Sequence, residues 1–337
     1  MSLRRLVSHW LHPRFRYNQL AVIHGLRLAF AYLTAWLIGN ITAEPYSVWM
    51  IVTVAVVMGS LPHTGSIVEK GKQRFLGTTL GALGGFLVIY LMHLNPLLAA
   101  LAIVAIVGYS GFWAVRGGGY IAQLTCITLA IVSTNSAFDV GLWRMLDVYA
   151  GVVLAIAFGM LFPERARDHW YFMLEESLEG LNWLYRELAT RGEYDMTLAE
   201  GLRQRHGKMR ELIAAVARES GLNGKDLKST LGLLHRAQVA IEFLASEAAE
   251  PVRQAAAGPA DEKRVVASLT RIAQRFALPI AEGIPSLSMP PSPQQVWLLS
   301  TLARHLEELE AMLDKMLPKL RGQDGSRWFE TAWPPQD

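Results

Sequence analysis

From Leu20 to Phe162 charged residues are sparse, and this stretch decides what kind of solvent the chain needs. Six apolar runs fill it, about Leu20 to Ile38, Tyr46 to Leu61, Phe75 to Leu91, Pro96 to Trp113, Tyr120 to Ser133 and Leu142 to Phe162. Each is near the roughly 17–25 residues a helix needs to cross a bilayer, with the second and fifth short. Breakers separate them: Gly39-Asn40, Pro62, Asn95-Pro96, the Gly117 to Gly119 run, read as a flexible inter-helix turn, and Asn135. Six crossings follow, and the two short runs leave five or seven open, because a short run can be re-entrant.

From Glu164 onward charges recur in almost every turn, so a second region with a different solvent follows the first. Its apolar residues fall at steps of three and four. Tyr171, Leu174, Leu178, Leu181, Tyr185 and Leu188 make one stripe, and Leu227, Leu231, Leu234, Ile241 and Leu244 a second. Val266, Leu269, Ala273 and Phe276 make a third. Ser292 before Pro293 reads as an N-cap with proline in the first turn. The helix it opens carries Leu299, Leu302, Leu306, Leu309, Leu313 and Met316. These stripes pack into a bundle or serve as a dimer seam. No strand alternation is found. The fold expected is all-α: a polytopic membrane protein with six transmembrane helices followed by a cytoplasmic helical bundle. The expected divisions are a basic segment at 1–19, a membrane domain at 20–163, a cytoplasmic domain at 164–320 and a tail at 321–337.

Basic residues set the orientation. Arg4, Arg5, Arg14 and Arg16 precede the first run, and Lys70, Lys72 and Arg74 lie between the second and third. Arg116 lies between the fourth and fifth, and Arg165 and Arg167 follow the sixth. The other connectors, GNITAEP and HLNP, carry no lysine or arginine. All basic clusters share one side when both ends are cytoplasmic, so the chain reads as a multi-pass membrane protein with both termini on that side. The opening residues lack a continuous apolar core and a cleavage site, so no cleaved signal is expected. Leu3, Leu6, Val7, Trp10 and Leu11 share a face opposite Arg4, Arg5, Ser8 and His9. They read as an interfacial helix ended by Pro13 or as a frayed basic leader. A net charge of +3 is mild and suits membrane topology better than nucleic-acid binding.

Two small-residue faces stand out within the apolar runs. Gly77, Gly81 and Gly85 recur every four residues, and Gly151, Ala155 and Gly159 do the same in the sixth run. Such faces let helices approach closely in lipid. The contact is within one subunit, between subunits, or along a narrow pathway. Ionisable residues in these runs say more. Arg27 lies two turns into the first run with His24 one turn before it. An arginine near the bilayer centre costs roughly 2.5–3.5 kcal/mol on insertion scales, so it faces protein or water. It either snorkels or pairs with a carbonyl, or it lines an anion route. Arg74 opens the third run where a topology-setting arginine is expected anyway. Arg144 and Asp147, one turn apart, neutralise each other or take part in transport. His63 and Glu69 are expected to be solvated. Trp36, Trp49, Trp113 and Trp143 fall at run ends and read first as an interfacial belt, with stacking on a substrate ring as the alternative.

No catalytic constellation is present. The chain has no G-x-x-x-x-G-K-[ST] loop, no H-E-x-x-H, no G-x-S-x-G and no paired-carboxylate arrangement, so no enzyme and no cofactor are expected. Cys126 alone cannot form an internal disulfide or a cysteine-built metal site, and it reads as a small packing residue.

Four fragments, in order, resemble the fusaric acid resistance and aromatic acid exporter family of bacterial inner-membrane proteins, with a more distant likeness to plant aluminium-activated malate transporters. HGLRLAFAYLTAW is similar to that family's arginine-bearing opening helix, and YSVWMIVTVAVVMGS to its second span. Arg74, Gly77 and Thr78, followed by Gly81, match its arginine-glycine-threonine signature. LWRMLDVYAGVVLAIAFGMLFPERA resembles its sixth span, with Arg144, Asp147, Gly151 and Pro163 in the expected relative places. The resemblance covers about residues 20–167. It implies export of organic anions, aromatic carboxylates above all, along a route to which Arg27, Arg74 and Arg144 lend positive potential. His24, Thr78 and Asp147 complete the candidate pathway. Larger family members carry the unit twice and this chain carries it once, so a homodimer is the implied assembly. The bilayer, an organic anion substrate and an accessory periplasmic protein are the other partners the reading admits. Two alternatives stand beside the exporter: a non-transporting scaffold or envelope-stress component whose bundle binds a partner, and a passive anion channel.

Overall fold

A computed structural model describes residues 13–42, 47–59, 62–134, 138–161, 163–248, 259–278 and 293–321. The expected interfacial helix before Pro13, the Ser292 cap and the tail beyond residue 321 lie outside them. All regular structure among the described residues is helical. The chain divides into two compact units, residues 18–165 and residues 1–17 with 166–337.

The first unit holds six apolar helices: α2 (Leu20–Thr42), α3 (Val48–Met58), α4 (Thr64–Leu94), α5 (Pro96–Trp113), α6 (Gly119–Thr134) and α7 (Phe138–Leu161). Four apolar stretches reach the length a membrane crossing needs, and one of them runs from Pro96 to Thr134 through both α5 and α6. Within it the glycine run makes the inter-helix turn expected of it, a kink across Ala114–Gly118. Only Gly117 leaves helical geometry there, at φ 109°, a left-handed conformation that glycine adopts without a Cβ clash. The chain reverses at this point. A Cβ on Gly77 would meet Leu124, on Gly81 Thr125 and Thr128, and on Gly85 Val132, so α6 runs beside α4 in the same direction. Gly84 faces Ile106 of α5, while Val88 clusters with Ala99, so α5 runs the opposite way.

Helix α4 is longer than its apolar run. It starts at Thr64, eleven residues before Phe75, because Glu69, Lys70, Lys72 and Arg74 change the solvent of a helix and not its hydrogen bonding. Burial in this unit is inverted relative to a protein in water. Small and polar residues face inward: Ala31, Ala35, Gly39 and Arg27 on α2, and Arg74, Gly77, Thr78 and Gly81 on α4. Phe30, Leu83, Leu101, Val104 and Val153 point outward. Lipid satisfies that outer surface, and helices hold together through close contact instead of expulsion of water.

The second unit obeys the opposite rule. Helix α8 (Ala166–Arg191) packs against α9 (Met196–Ser220), α10 (Gly224–Ala248), α11 (Pro259–Arg275) and α12 (Pro293–Arg321). Every leucine, tyrosine and methionine of the first and last stripes is buried inside this unit, and so is the whole second stripe. In the third stripe Leu269, Ala273 and Phe276 are buried, and Val266 packs partly buried against the same core beside a fully buried Val265. Charges line the outside, including Arg264–Glu307, Arg271–Glu310 and Arg275–Asp314 between α11 and α12. Pro13, expected to end a helix, begins one: α1 (Pro13–Asn18) has proline in its first turn, where no amide is missed. It is clasped to α8, Arg14 pairing with Glu175 at 2.6 Å and the Tyr17 hydroxyl donating to Glu176 at 2.8 Å.

Candidate functional site

The ionisable residues of the first unit fall into two places, and α7 serves as a ruler for both. Its inward face carries Arg144, Gly151 and Gly159, seven and eight residues apart. At 1.5 Å per residue that separates the three levels by about 10–12 Å each.

At the Gly159 level, Arg27 donates to the carbonyl of Pro62 at 2.5 Å and to that of Gly159 at 3.5 Å. Thr64 adds its hydroxyl to the same Gly159 carbonyl at 2.9 Å. The Thr64 amide donates to the Glu164 carbonyl, and the Glu164 amide returns to the Thr64 hydroxyl, at 3.0 and 3.2 Å. Arg27 thus ties α2 to the α3–α4 connector and to the C-terminal end of α7. It pairs with backbone carbonyls, one of the roles the sequence left open for it. His24 lies one turn away and is partly buried. His63, expected to be solvated, is 6% exposed, because it caps the start of α4 beneath this knot. Glu69 is partly buried and accepts from Gln73 one turn on.

At the Gly151 level the helices come closest. A Cβ on Gly151 would lie 2.7 Å from the Met50 carbonyl and from Thr53, so α3 and α7 touch backbone to backbone. This brings Thr53 into reach of α4, and Arg74 Nε donates to its hydroxyl at 3.2 Å. Arg144, one level further along, lays its guanidinium 3.8 Å from the centroid of the Trp49 ring on α3. It also lies near enough to Arg74 for the two charges to oppose each other. Arg74, Thr78, Arg144 and Asp147 are all under 8% exposed. Arg144 Nε and Nη1 are buried without a hydrogen-bond acceptor. Two adjacent buried cations, one of them with donors unspent, thus stand together, and the buried Asp147 lies one turn from Arg144.

The structure therefore joins Arg74 to Arg144 and leaves Arg27 and His24 some 20 Å away along α7. Thr53 and Trp49 complete the arginine pair and were not singled out for it. A threonine amid the valines of α3 was the only hint. Gly77, Gly81 and Gly85 face α6, and Gly159 faces Ile67 on α4. Among the described residues no group of three or more metal-binding side chains converges.

Comparison with known proteins gives this geometry a setting. Residues 30–158 match the family described as "Fusaric acid resistance protein-like". The chain is 32% identical over 210 residues to "Inner membrane protein YeeA" of Escherichia coli (strain K12), covering 60% of each. It is 24% identical over 175 residues to "p-hydroxybenzoic acid efflux pump subunit AaeB" of Yersinia pestis (strain Pestoides F), covering 46% of this chain and 26% of that one. The chain thus spans just over half the length of the first relative and about a quarter of the second. The matched segment contains Trp49, Thr53, Arg74, Thr78, Arg144 and Asp147 and leaves out His24 and Arg27. Over residues 30 to 158 this chain is similar to the fusaric acid resistance protein-like family, the resemblance its four fragments carry.

Proposed function

We propose that this chain exports organic anions, aromatic carboxylates among them, across a bacterial inner membrane. The observation that carries the reading is the buried pair Arg74 and Arg144, two cations from different helices, with Nε and Nη1 of Arg144 unspent inside an apolar bundle. An anion leaving water for such a bundle loses its hydration, and preplaced guanidinium donors offset that loss. The efflux-pump name of one relative and the inner-membrane name of another agree with it.

In this reading α2 to α7 make six crossings. The reversal at Gly117 divides the 39-residue apolar stretch into two of them. Helix α3 has 11 residues, about 16 Å, and needs its flanks to complete a crossing. The basic residues at the Thr64, Arg116 and Arg165 ends set that side as cytoplasmic, with both termini and the α8–α12 bundle on it. The assembly is a homodimer, and copies carrying different tags co-purify in mild detergent. Recovery of each tag alone counts against it.

Efflux of labelled carboxylates from cells lacking and overproducing the protein tests the function. Overproduction speeds loss of at least one acid, and Arg144→Gln abolishes that gain at equal membrane abundance. Undiminished efflux by Arg144→Gln removes the arginine pair from the route, and no effect of overproduction on any acid favours the scaffold. Uphill movement driven by a pH gradient separates a coupled exporter from a passive channel.

A further inference from the structure

Trp49 falls at a run end and reads, from sequence, as one more residue of the interfacial belt. In the structure its indole face is occupied by the protein itself. The Arg144 guanidinium sits 3.8 Å from the ring centroid, and the tryptophan packs against the apolar cluster shared by α2, α3 and α7. A guanidinium over an indole is attracted to the ring quadrupole, more strongly where water is excluded, and Arg144 is 3% exposed. That contact supplies no acceptor for the guanidinium N–H groups, and Nε and Nη1 have none. Thr53 does for Arg74 what Trp49 does for Arg144, holding Nε at 3.2 Å. The contact of Gly151 with Thr53 and the Met50 carbonyl keeps α3, which carries both holders, against α7.

We infer that Trp49 and Thr53 are positioning residues that aim Arg144 and Arg74 at a carboxylate, and that the site reads this group without reading an aromatic ring. The inference rests on the anion-route reading and narrows it. A planar carboxylate matches the donor edge of a guanidinium with two parallel bonds. The ring of an aromatic acid, by contrast, finds the arginine already lying on the indole. Acids are then ranked by charge and size, and a saturated ring serves as well as a flat one.

The test is equilibrium dialysis of the full chain in detergent with labelled benzoate and cyclohexanecarboxylate, which share the carboxylate and differ in the ring. Their dissociation constants are expected to agree within about threefold, and Arg144→Gln weakens both by about tenfold or more. Trp49→Phe, which keeps a π face, stays near wild type. Trp49→Leu weakens both acids by about tenfold and to the same degree. The inference is overturned if benzoate binds at least about tenfold more tightly and Trp49→Leu removes that preference, for then the indole is the ring's platform. It is equally overturned if Trp49→Leu leaves both constants unchanged. Binding of neither acid by folded wild-type protein takes away the anion route itself, and the inference with it.

Discussion

Among the described residues the two units are both all-helical, yet their helices are held by opposite means. In the α8–α12 unit large side chains point inward, and Trp170, Tyr185, Leu202 and Leu234 are among the most deeply buried. In the α2–α7 unit many large side chains point outward, while glycine, alanine, threonine and arginine meet inside beside a smaller apolar cluster that includes Met58 and Ile67. The first is assembled by removing apolar surface from water and the second by bringing backbones together. The same substitution is therefore expected to have different consequences in the two. Leu234→Ala should cost about 2–5 kcal/mol, since Leu234 is fully buried and its loss leaves a cavity. Leu101→Ala, at a position 57% exposed in the apolar unit, should leave thermal stability within about 0.5 kcal/mol of wild type. Equal costs in detergent-solubilised protein would mean that α5 is covered and not lipid-facing.

The reverse substitution inverts the order. A Cβ on Gly81 would lie 2.6 Å from the Thr125 carbonyl oxygen and from Thr128 Cβ, and 3.1 Å from the Leu129 amide. Two of those neighbours are backbone and cannot swing away. Gly81→Leu should therefore part α4 from α6, cost about 3 kcal/mol or more, and lower the amount of protein recovered from membranes. A stable, abundant Gly81→Leu protein would show that the α4–α6 contact is dispensable.

These differences also explain what could be read from the chain. The stripes of α8, α10 and α12 were legible because water enforces a period, and nearly every striped residue is buried. The apolar runs were legible as spans for the same reason, applied to lipid. Hydropathy reports solvent and not hydrogen bonding, so it missed the first eleven residues of α4. The site was half legible. Arg74 and Arg144 declared themselves as charges in apolar runs, but what they touch did not. Trp49 and Arg144 are far apart in sequence, as are Thr53 and Arg74, and these contacts follow from the Gly151 approach, which no local pattern encodes. Arg27 was legible as a residue that needs partners. Its choice of the Pro62 and Gly159 carbonyls depends on segments that meet only in the fold.

A titration separates the units further. His206, on α9, is 7% exposed, neither of its ring nitrogens has a hydrogen-bond partner, and His235, Arg205 and Arg210 surround it with positive potential. Burial first, and these neighbours second, push its pKa down to about 4 from 6.5. Below pH 6.5 the unfolded chain takes up a proton that the folded unit refuses until about pH 4, so stability is lost as pH falls through that window. At pH 5 the loss is about 2 kcal/mol. His206→Leu should flatten the change in melting temperature between pH 7 and pH 5. An unchanged slope would assign the acid sensitivity elsewhere.

The smallest effect sharpens the comparison most. Gly201 on α9 and Gly108 on α5 are both helical, and at each an added Cβ would meet nothing within 4 Å. Gly201→Ala should stabilise its unit by up to about 1 kcal/mol, because in water the unfolded glycine has more conformations to lose than alanine has. Gly108→Ala offers the same open space and the same propensity, but a different reference state. A spanning segment that leaves its neighbours in lipid stays helical, since its amides have no water to bond to. Helix propensity then cancels between the two states, and the alanine should bring almost no gain. Equal stabilisation by both alanines would mean that α5 unfolds into water, and the division of the chain between two solvents would have to be redrawn at that helix.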